Sequence, residues 1–218
     1  MTYLELVQRL LGEADVNEDI TTTAGAVGEV RDCCRWVTDA YREIQGTKLY
    51  SFLWENPTKS MLANTNVLAD TLDATRYDTA TLWVTIPGNT SPRRLDYLPW
   101  QDFALNYQVL QAAGNPTVWT IRPDKAIVFN AKALTAAALS FTVERFKTGQ
   151  VISADADVPL MPDDLHMLIV WTALKKYAGF DEAGNQRSIA IDEMKTMEHA
   201  LDMRCLPTFT FGPPLGDC

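Results

Sequence analysis

A chain of 218 residues is long enough for one sizeable core or two small ones and too short for a large multidomain enzyme. Apolar residues at 47% and charged residues at 22% are the proportions of a globular chain and exclude disorder, collagen-like repeats and an extended coiled coil. Nineteen basic against twenty-eight acidic residues give a net charge of -9, which withholds the phosphate-neutralising charge of a tight duplex binder unless the cations gather on one face.

Thr2 followed three residues later by Glu5 has the capping-box spacing, in which each side chain satisfies a backbone N–H left free at a helix start. Tyr3, Leu6 and Leu10 then share one face. After a Thr-rich connection at 21–23, Val27, Val30, Cys34, Val37, Tyr41 and Ile44 recur at steps of three and four, which predicts a helix with one apolar stripe ending near Gly46. Asp32 with Arg35 and Asp39 with Arg42 are spaced to pair on its other faces. Residues 1–48 are therefore expected to form a helical hairpin.

From Leu49 the texture changes to short runs of β-branched and aromatic residues separated by Pro, Gly, Asn and Asp. Strands are expected near 59–63 and 80–85, and a hairpin at 117–121 and 126–129 about Arg122-Pro123-Asp124-Lys125, where Pro presets φ and Asp favours the turn. A further strand covers 138–146. Pro99, Trp100, Phe103, Tyr107 and Leu110 predict one helix inside this β-rich region, stopped by Gly114-Asn115-Pro116.

Pro162, Asp163 and Asp164 suit the first turn of a helix carrying Leu165, Ile169, Trp171 and Leu174, with Gly179 placed to cap it. A second helix with Ala190, Met194, Met197, Leu201 and Cys205 along one side runs to Pro207. The run 165–174 is too short to cross a bilayer, so no membrane association is expected. The amino terminus lacks the basic start and apolar run of a secretory signal, so the chain is expected to stay where it is made. Two hairpins with apolar stripes bury them most economically against each other. The expected fold is α+β: a four-helix bundle made of the hairpins 1–48 and 161–206, an antiparallel β-rich insertion at 49–160, and an extended tail at 207–218.

That tail combines Phe at period two, in Thr208-Phe209-Thr210-Phe211, with the Gly/Pro stop Pro213-Pro214-Leu215. It suits strand addition to an open sheet edge on a partner, or packing on its own bundle.

Phosphate-cradling, dinucleotide, nucleophile-elbow and HExxH motifs are all absent from the sequence. Of the four cysteines, Cys33 and Cys34 are adjacent and the others distant, which gives no metal-ligand spacing and suits a reducing compartment; the adjacent pair reads as small core residues. Asp155, Asp157, Asp163 and Asp164 form the densest acidic cluster; their spacing matches no calcium loop, and a solvated loop with carboxylates at a helix start accounts for them better. Asp155, Asp157, Asp163 and His166 are the one constellation from which a metal-dependent hydrolase could be built. Arg93, Arg94, Arg122 and Lys125 form a modest basic scatter, read as solvated surface. No cofactor is expected.

The order of segments resembles the head-to-tail adaptor (connector) proteins of tailed bacteriophages, in particular the short-tailed phage type. The likeness is carried by 36–45 with Phe52-Leu53, by Leu95-Asp96-Tyr97-Leu98-Pro99-Trp100, by Gly114-Asn115-Pro116-Thr117 leading to Arg122-Pro123-Asp124-Lys125, by Asp155-Ala156-Asp157-Val158-Pro159, and by 164–171 with Leu174, Tyr177, Ala178 and Gly179. It spans 1–207. It implies a non-enzymatic ring of identical subunits, typically twelve, between the portal protein and a tail or nozzle protein, with genomic double-stranded DNA passing through the channel. By the same resemblance the bundle forms the ring body and the tail, Thr208, Phe209, Thr210, Phe211, Pro213, Pro214 and Leu215, reaches the portal. A tail-side gatekeeper or completion protein that never meets the portal is the other binding role open to such a chain.

Overall fold

A computed structural model describes residues 1–68, 74–87, 91–107, 113–133, 139–181 and 184–206. The fold is α+β and divides into two compact units, one made of both chain ends (1–53 and 149–218) and one of the intervening 54–148.

Four helices build the first unit: α1 (Tyr3–Glu13), α2 (Gly28–Thr47), α4 (Met167–Phe180) and α5 (Gly184–Cys205). The capping box of α1 is present, with the Glu5 amide donating to Thr2 Oγ1 at 3.3 Å and the Thr2 amide to Glu5 Oε2 at 2.8 Å. Tyr3, Leu6, Val7, Leu10 and Leu11 are buried along its inner face. Helix α2 begins at Gly28, whose φ of +59° is open to glycine without strain. It buries Val30, Cys33, Val37, Ala40, Tyr41 and Ile44. The helical phase sets Cys33 fully inside, while Cys34, assigned to the core from the sequence, is half-buried at its edge. Gly46 does not stop the helix, which continues to Thr47.

Helix α4 packs against α1, α2 and α5. It is buried on nearly every side, Leu168, Ile169, Val170, Ala173, Leu174 and Tyr177 included, as a helix apolar all round must be. Thr172 is tolerated there because its hydroxyl donates to the Leu168 carbonyl at 2.7 Å. The preceding residues 163–165 form a 3-10 turn rather than the start of the α-helix. Gly179 lies inside α4, which ends at Phe180 and is capped by Asp181, whose backbone N–H donates to the Tyr177 carbonyl. Helix α5 buries only Ala190, Leu201 and Cys205. Met194, Met197 and, on α4, Trp171 are partly buried against a single core that also holds Val30, Val37, Tyr41, Ile44, Leu165, Ile169, Leu174 and Leu201.

The second unit holds ten short strands and helix α3 (Trp100–Tyr107) among its described residues. Strands β1 (Trp54–Glu55), β10 (Arg145–Lys147) and β3 (Ala74–Tyr77) form one sheet in that order; β2 (Thr58–Met61), β9 (Leu139–Thr142), β4 (Trp83–Thr85) and β5 (Arg93–Arg94) form a second; β6 (Asp96–Tyr97), β7 (Val118–Ile121) and β8 (Ile127–Phe129) a third. Among the described residues its strand pairs are antiparallel apart from β6–β7, which is parallel. The hairpin at 122–125 forms, with Lys125 at φ +67° and Asp124 taking both the Arg122 guanidinium and the Ala126 amide.

Two strands are shorter than the sequence predicts. The run 80–85 is extended only from Trp83, because Asp78 closes a turn by accepting from the Ala80 and Thr81 amides. The run 138–146 is split at Val143–Glu144, where the Glu144 amide bonds Thr81 Oγ1 and its carbonyl takes the Asp78 amide. Leu110 of the predicted aromatic helix lies outside the described residues. Phe129 and Phe141, with ring centroids 4.3 Å apart, stack within a core that includes Val84, Leu95, Trp119, Ile127 and Val143.

Candidate docking surfaces

Three features of the sequence carried functional weight: the acidic segment 155–164, the buried stripes, and the tail. The tail, from Thr208 to Leu215 and on to Cys218, lies outside the described residues.

The acidic segment forms a clasp. Asp155 accepts from the Thr22 hydroxyl at 2.6 Å and from the Thr23 amide at 2.8 Å and Thr23 hydroxyl. These donors favour the charged form and hold its carboxyl below the ordinary range. Asp157 is held low in the same way by the Ser153 and Ala154 amides, each at 2.8 Å. The backbone carbonyls of Asp157 and Asp155 take the Tyr3 and Leu4 amides at the open end of α1. Among the described residues no group of three His, Cys, Asp or Glu side chains is arranged to hold a metal ion.

His166, fully buried, donates from Nε2 to the Met161 carbonyl (3.0 Å) and accepts from the Met1 amine on Nδ1 (2.8 Å), with Asp163 at 3.6 Å. Burial pushes its pKa down.

The other end of the clasp rests on residues no motif singled out. Gln45 donates from Nε2 to the Gln150 carbonyl at 2.9 Å and accepts the Gln150 amide on Oε1 at 2.7 Å, a side chain imitating a strand partner. The Tyr41 hydroxyl donates to Gln150 Oε1 and accepts the Leu160 amide, both at 2.9 Å. Tyr41 thus serves both the core stripe and the clasp. A polar residue at the inner edge of an apolar helix stripe was the one available signal for Gln45.

Among the described residues, two surfaces expose aromatic groups. On the helical unit, Phe180 is 73% exposed and packs on Trp36 with ring centroids 5.6 Å apart. The two rings with Asp32, Arg35 and Asp39 line a cleft of about 260 Å³. Asp32 is paired with Arg31 at 3.2 Å rather than with Arg35, whereas the Asp39–Arg42 pair forms at 3.7 Å.

On the β-rich unit, residues 139–145 alternate strictly, with Leu139, Phe141, Val143 and Arg145 buried and Ser140, Thr142 and Glu144 turned outward. Arg145 is held inside by Glu55 at 2.5 Å, with Nη1 left unpartnered. Register carries the outward side across the strands. Trp83 stands opposite both Thr142 and Arg94, and Phe146 stands opposite both Trp54 and Arg76. Thr58, Ser60 and Thr85 complete a hydroxyl-rich face that exposes Trp54 at 45% and Trp83 at 42%.

Charge divides as sharply as structure. The unit formed by the chain ends holds 10 basic and 20 acidic residues, the intervening unit 9 basic and 8 acidic. The whole of the net negative charge therefore belongs to the helical unit.

Buried stripes closed by a backbone-stitched clasp in one unit, and an exposed aromatic face on each unit, define a scaffold that presents surfaces to other macromolecules. A family model described as SU10 adaptor protein matches residues 1–204. The chain belongs to this family of phage structural adaptors, which is not a class of enzyme. A comparison with curated proteins returns no match.

Proposed function

We propose that this adaptor sits in the virion at the head-to-tail junction, as a closed ring of identical copies, twelve in the arrangement the family resemblance implies, seated on the portal protein and offering a platform to a tail or nozzle protein. The chain is made in the cytoplasm of the bacterial host and contributes no turnover. The observation that carries this reading is the family match over 1–204, which leaves the segment from Pro207 onward free to serve this phage's own contact. In the ring, the four helices act as a bundle forming the body. The tail, through Phe209, Phe211 and Leu215, docks on the portal, where the period-two Thr-Phe-Thr-Phe run suits addition to a sheet edge. Genomic DNA passes the lumen without sequence-specific contacts, and the acidity of the helical unit supports this, since few cations means few phosphate contacts to release during sliding.

Electron microscopy of the purified chain with and without portal tests the assembly, with a ring on portal particles expected. Deleting 208–218 is expected to leave the thermal unfolding temperature unchanged and to abolish portal attachment. A truncated chain that still joins portal particles refutes the role given to the tail. Phe209→Ser with Phe211→Ser is the milder form of the same experiment.

A further inference from the structure

The outward face of the sheets around β9 and β10 is unlike the rest of this acidic protein. Across about four strand spacings of 4.8 Å and five residues at 3.3 Å it gathers Trp54, Trp83, Phe146, Arg76 and Arg94, with hydroxyl groups between them and Glu144 as its one acid. Neither Arg76 nor Arg94 has an ion-pair partner among the described residues. Aromatic and arginine side chains are the groups that carry interface energy, and two half-exposed tryptophans are more apolar surface than a solvated sheet face needs.

We infer that this face docks the acidic helical unit of a second copy of the chain. Charge complementarity favours this partner. The helical unit carries twice as many acidic as basic residues, whereas the face presents two unpaired guanidinium groups. The Trp36–Phe180 cleft, lined by Asp32 and Asp39 with Arg35 between them, is where carboxylates and exposed aromatic surface coincide on the helical side. Among the described residues its carboxylates are engaged by surface arginines on their own helix, pairs of little strength that exchange at small cost.

Because the two surfaces differ, the contact is heterologous, and a heterologous contact repeated from copy to copy closes into a ring or runs on into a fibre. The face measures about 300 Å² by strand geometry, under half of the ~800 Å² a stable partner buries per side. It therefore supplies the centre of the contact, and closure into a ring supplies the remaining stability. This step rests on the ring proposed above and names the surfaces that make it.

The test is photo-cross-linking in assembled particles, with p-benzoylphenylalanine replacing Trp83 and, as a second site in case that variant fails to fold, Thr85. Particles are formed from equal amounts of ¹⁴N- and ¹⁵N-labelled chain. The expected product joins position 83 to a peptide from 1–53 or 149–206 of a differently labelled copy. Its yield should fall about tenfold in the Arg76→Glu, Arg94→Glu background, as charge reversal at an interface centre predicts. Linkage to DNA, to a non-identical protein, within one copy, or to no partner overturns the inference. A particle that retains the adaptor on its portal while giving any of those products sinks this interface and leaves the adaptor reading intact. A chain that never joins the particle sinks the adaptor reading itself.

Discussion

Gln45→Leu isolates the clasp. The substitution keeps the side-chain volume and helical propensity but removes both hydrogen bonds to the Gln150 backbone, at 2.7 and 2.9 Å, and the 3.2 Å bond to the Tyr41 carbonyl. The Gln150 amide and carbonyl then have no partner beside an apolar side chain. A buried unsatisfied group costs about 1–3 kcal/mol. Gln150 is only half-buried and water can reach part of it, so the lower figure applies to each group and the total is about 2 kcal/mol. For a unit of this size the unfolding temperature falls by roughly 3–5 °C per kcal/mol, which sets the expected loss at about 6–10 °C. The loss is followed by circular dichroism at 222 nm. Hydrogen exchange at the Gln150 amide distinguishes a local from a global effect, because that proton should lose protection before those of α4. A shift under about 2 °C with the Gln150 amide still protected would refute the account of Gln45 as a backbone surrogate.

Other consequences follow from the same chemistry. Glu55→Ala leaves the buried Arg145 guanidinium uncompensated, so the β-rich unit should lose about 3–5 kcal/mol, and Glu55→Ala with Arg145→Met should recover part of it in denaturant titrations. Asp155 and Asp157 have native pKa values below their ordinary value of 3.8. Their contribution is complete above that value and is lost as pH falls through the lower native ones, so Asp155→Asn and Asp157→Asn should flatten the acid limb of unfolding temperature against pH. His166 is depressed by burial, so its contribution is complete above 6.5 and declines as pH falls below it; a flat profile between pH 7 and 5 would contradict this. Burial pushes the Cys33 thiol up to about 12, so peptide mapping should find it unmodified by thiol reagents in the folded chain and modified at the rate of unfolding.

How much was legible in the sequence differs between the two units for a physical reason. Helices α1 and α2 announce themselves because a 3.6-residue period repeats over three turns or more, α4 as an apolar run longer than a strand, and the Thr2–Glu5 box marks a start to the residue. Strands of two to four residues carry too few repeats to show a period. β1, β3, β5 and β6 therefore went unread, and the parallel β6–β7 pair was invisible because pairing direction has no local signature. Cys33 and Cys34 show the limit within a helix: both fit a loose apolar stripe, and only the packing of neighbours decides which turns inward. The clasp was half-seen. Asp155 and Asp157 stood out as an acidic cluster, but their partners are the hydroxyl and backbone groups of Thr22, Thr23, Ser153 and Ala154, none of which a ligand spacing can reveal. Gly149 is a similar case, since a Cβ there would come 3.2 Å from Gln45 Oε1, a constraint set by a residue more than a hundred positions away.

The helical unit is assembled from segments that a 95-residue insertion separates, and closing a loop of that length costs about 4 kcal/mol on the logarithmic scaling of loop entropy. The insertion removes this cost if it folds first, because β1 pairs with β10 and sets Trp54 opposite Phe146, so its two exits lie side by side. That geometry allows 54–148 to be replaced by an eight-residue Gly/Ser linker. If the helices close while the insertion is unfolded, the linker stabilises the helical unit by about 2 kcal/mol, the entropy difference between the two loop lengths. If the sheets close first, the gain is near zero. Both outcomes keep the helices folded, because one core, including Tyr41, Ile169, Leu174 and Leu201, lies wholly within the retained segments. Loss of cooperative unfolding at 222 nm in the linker variant would show that the helices depend on the insertion for more than its closed ends, and would overturn the division of the chain into two self-sufficient cores.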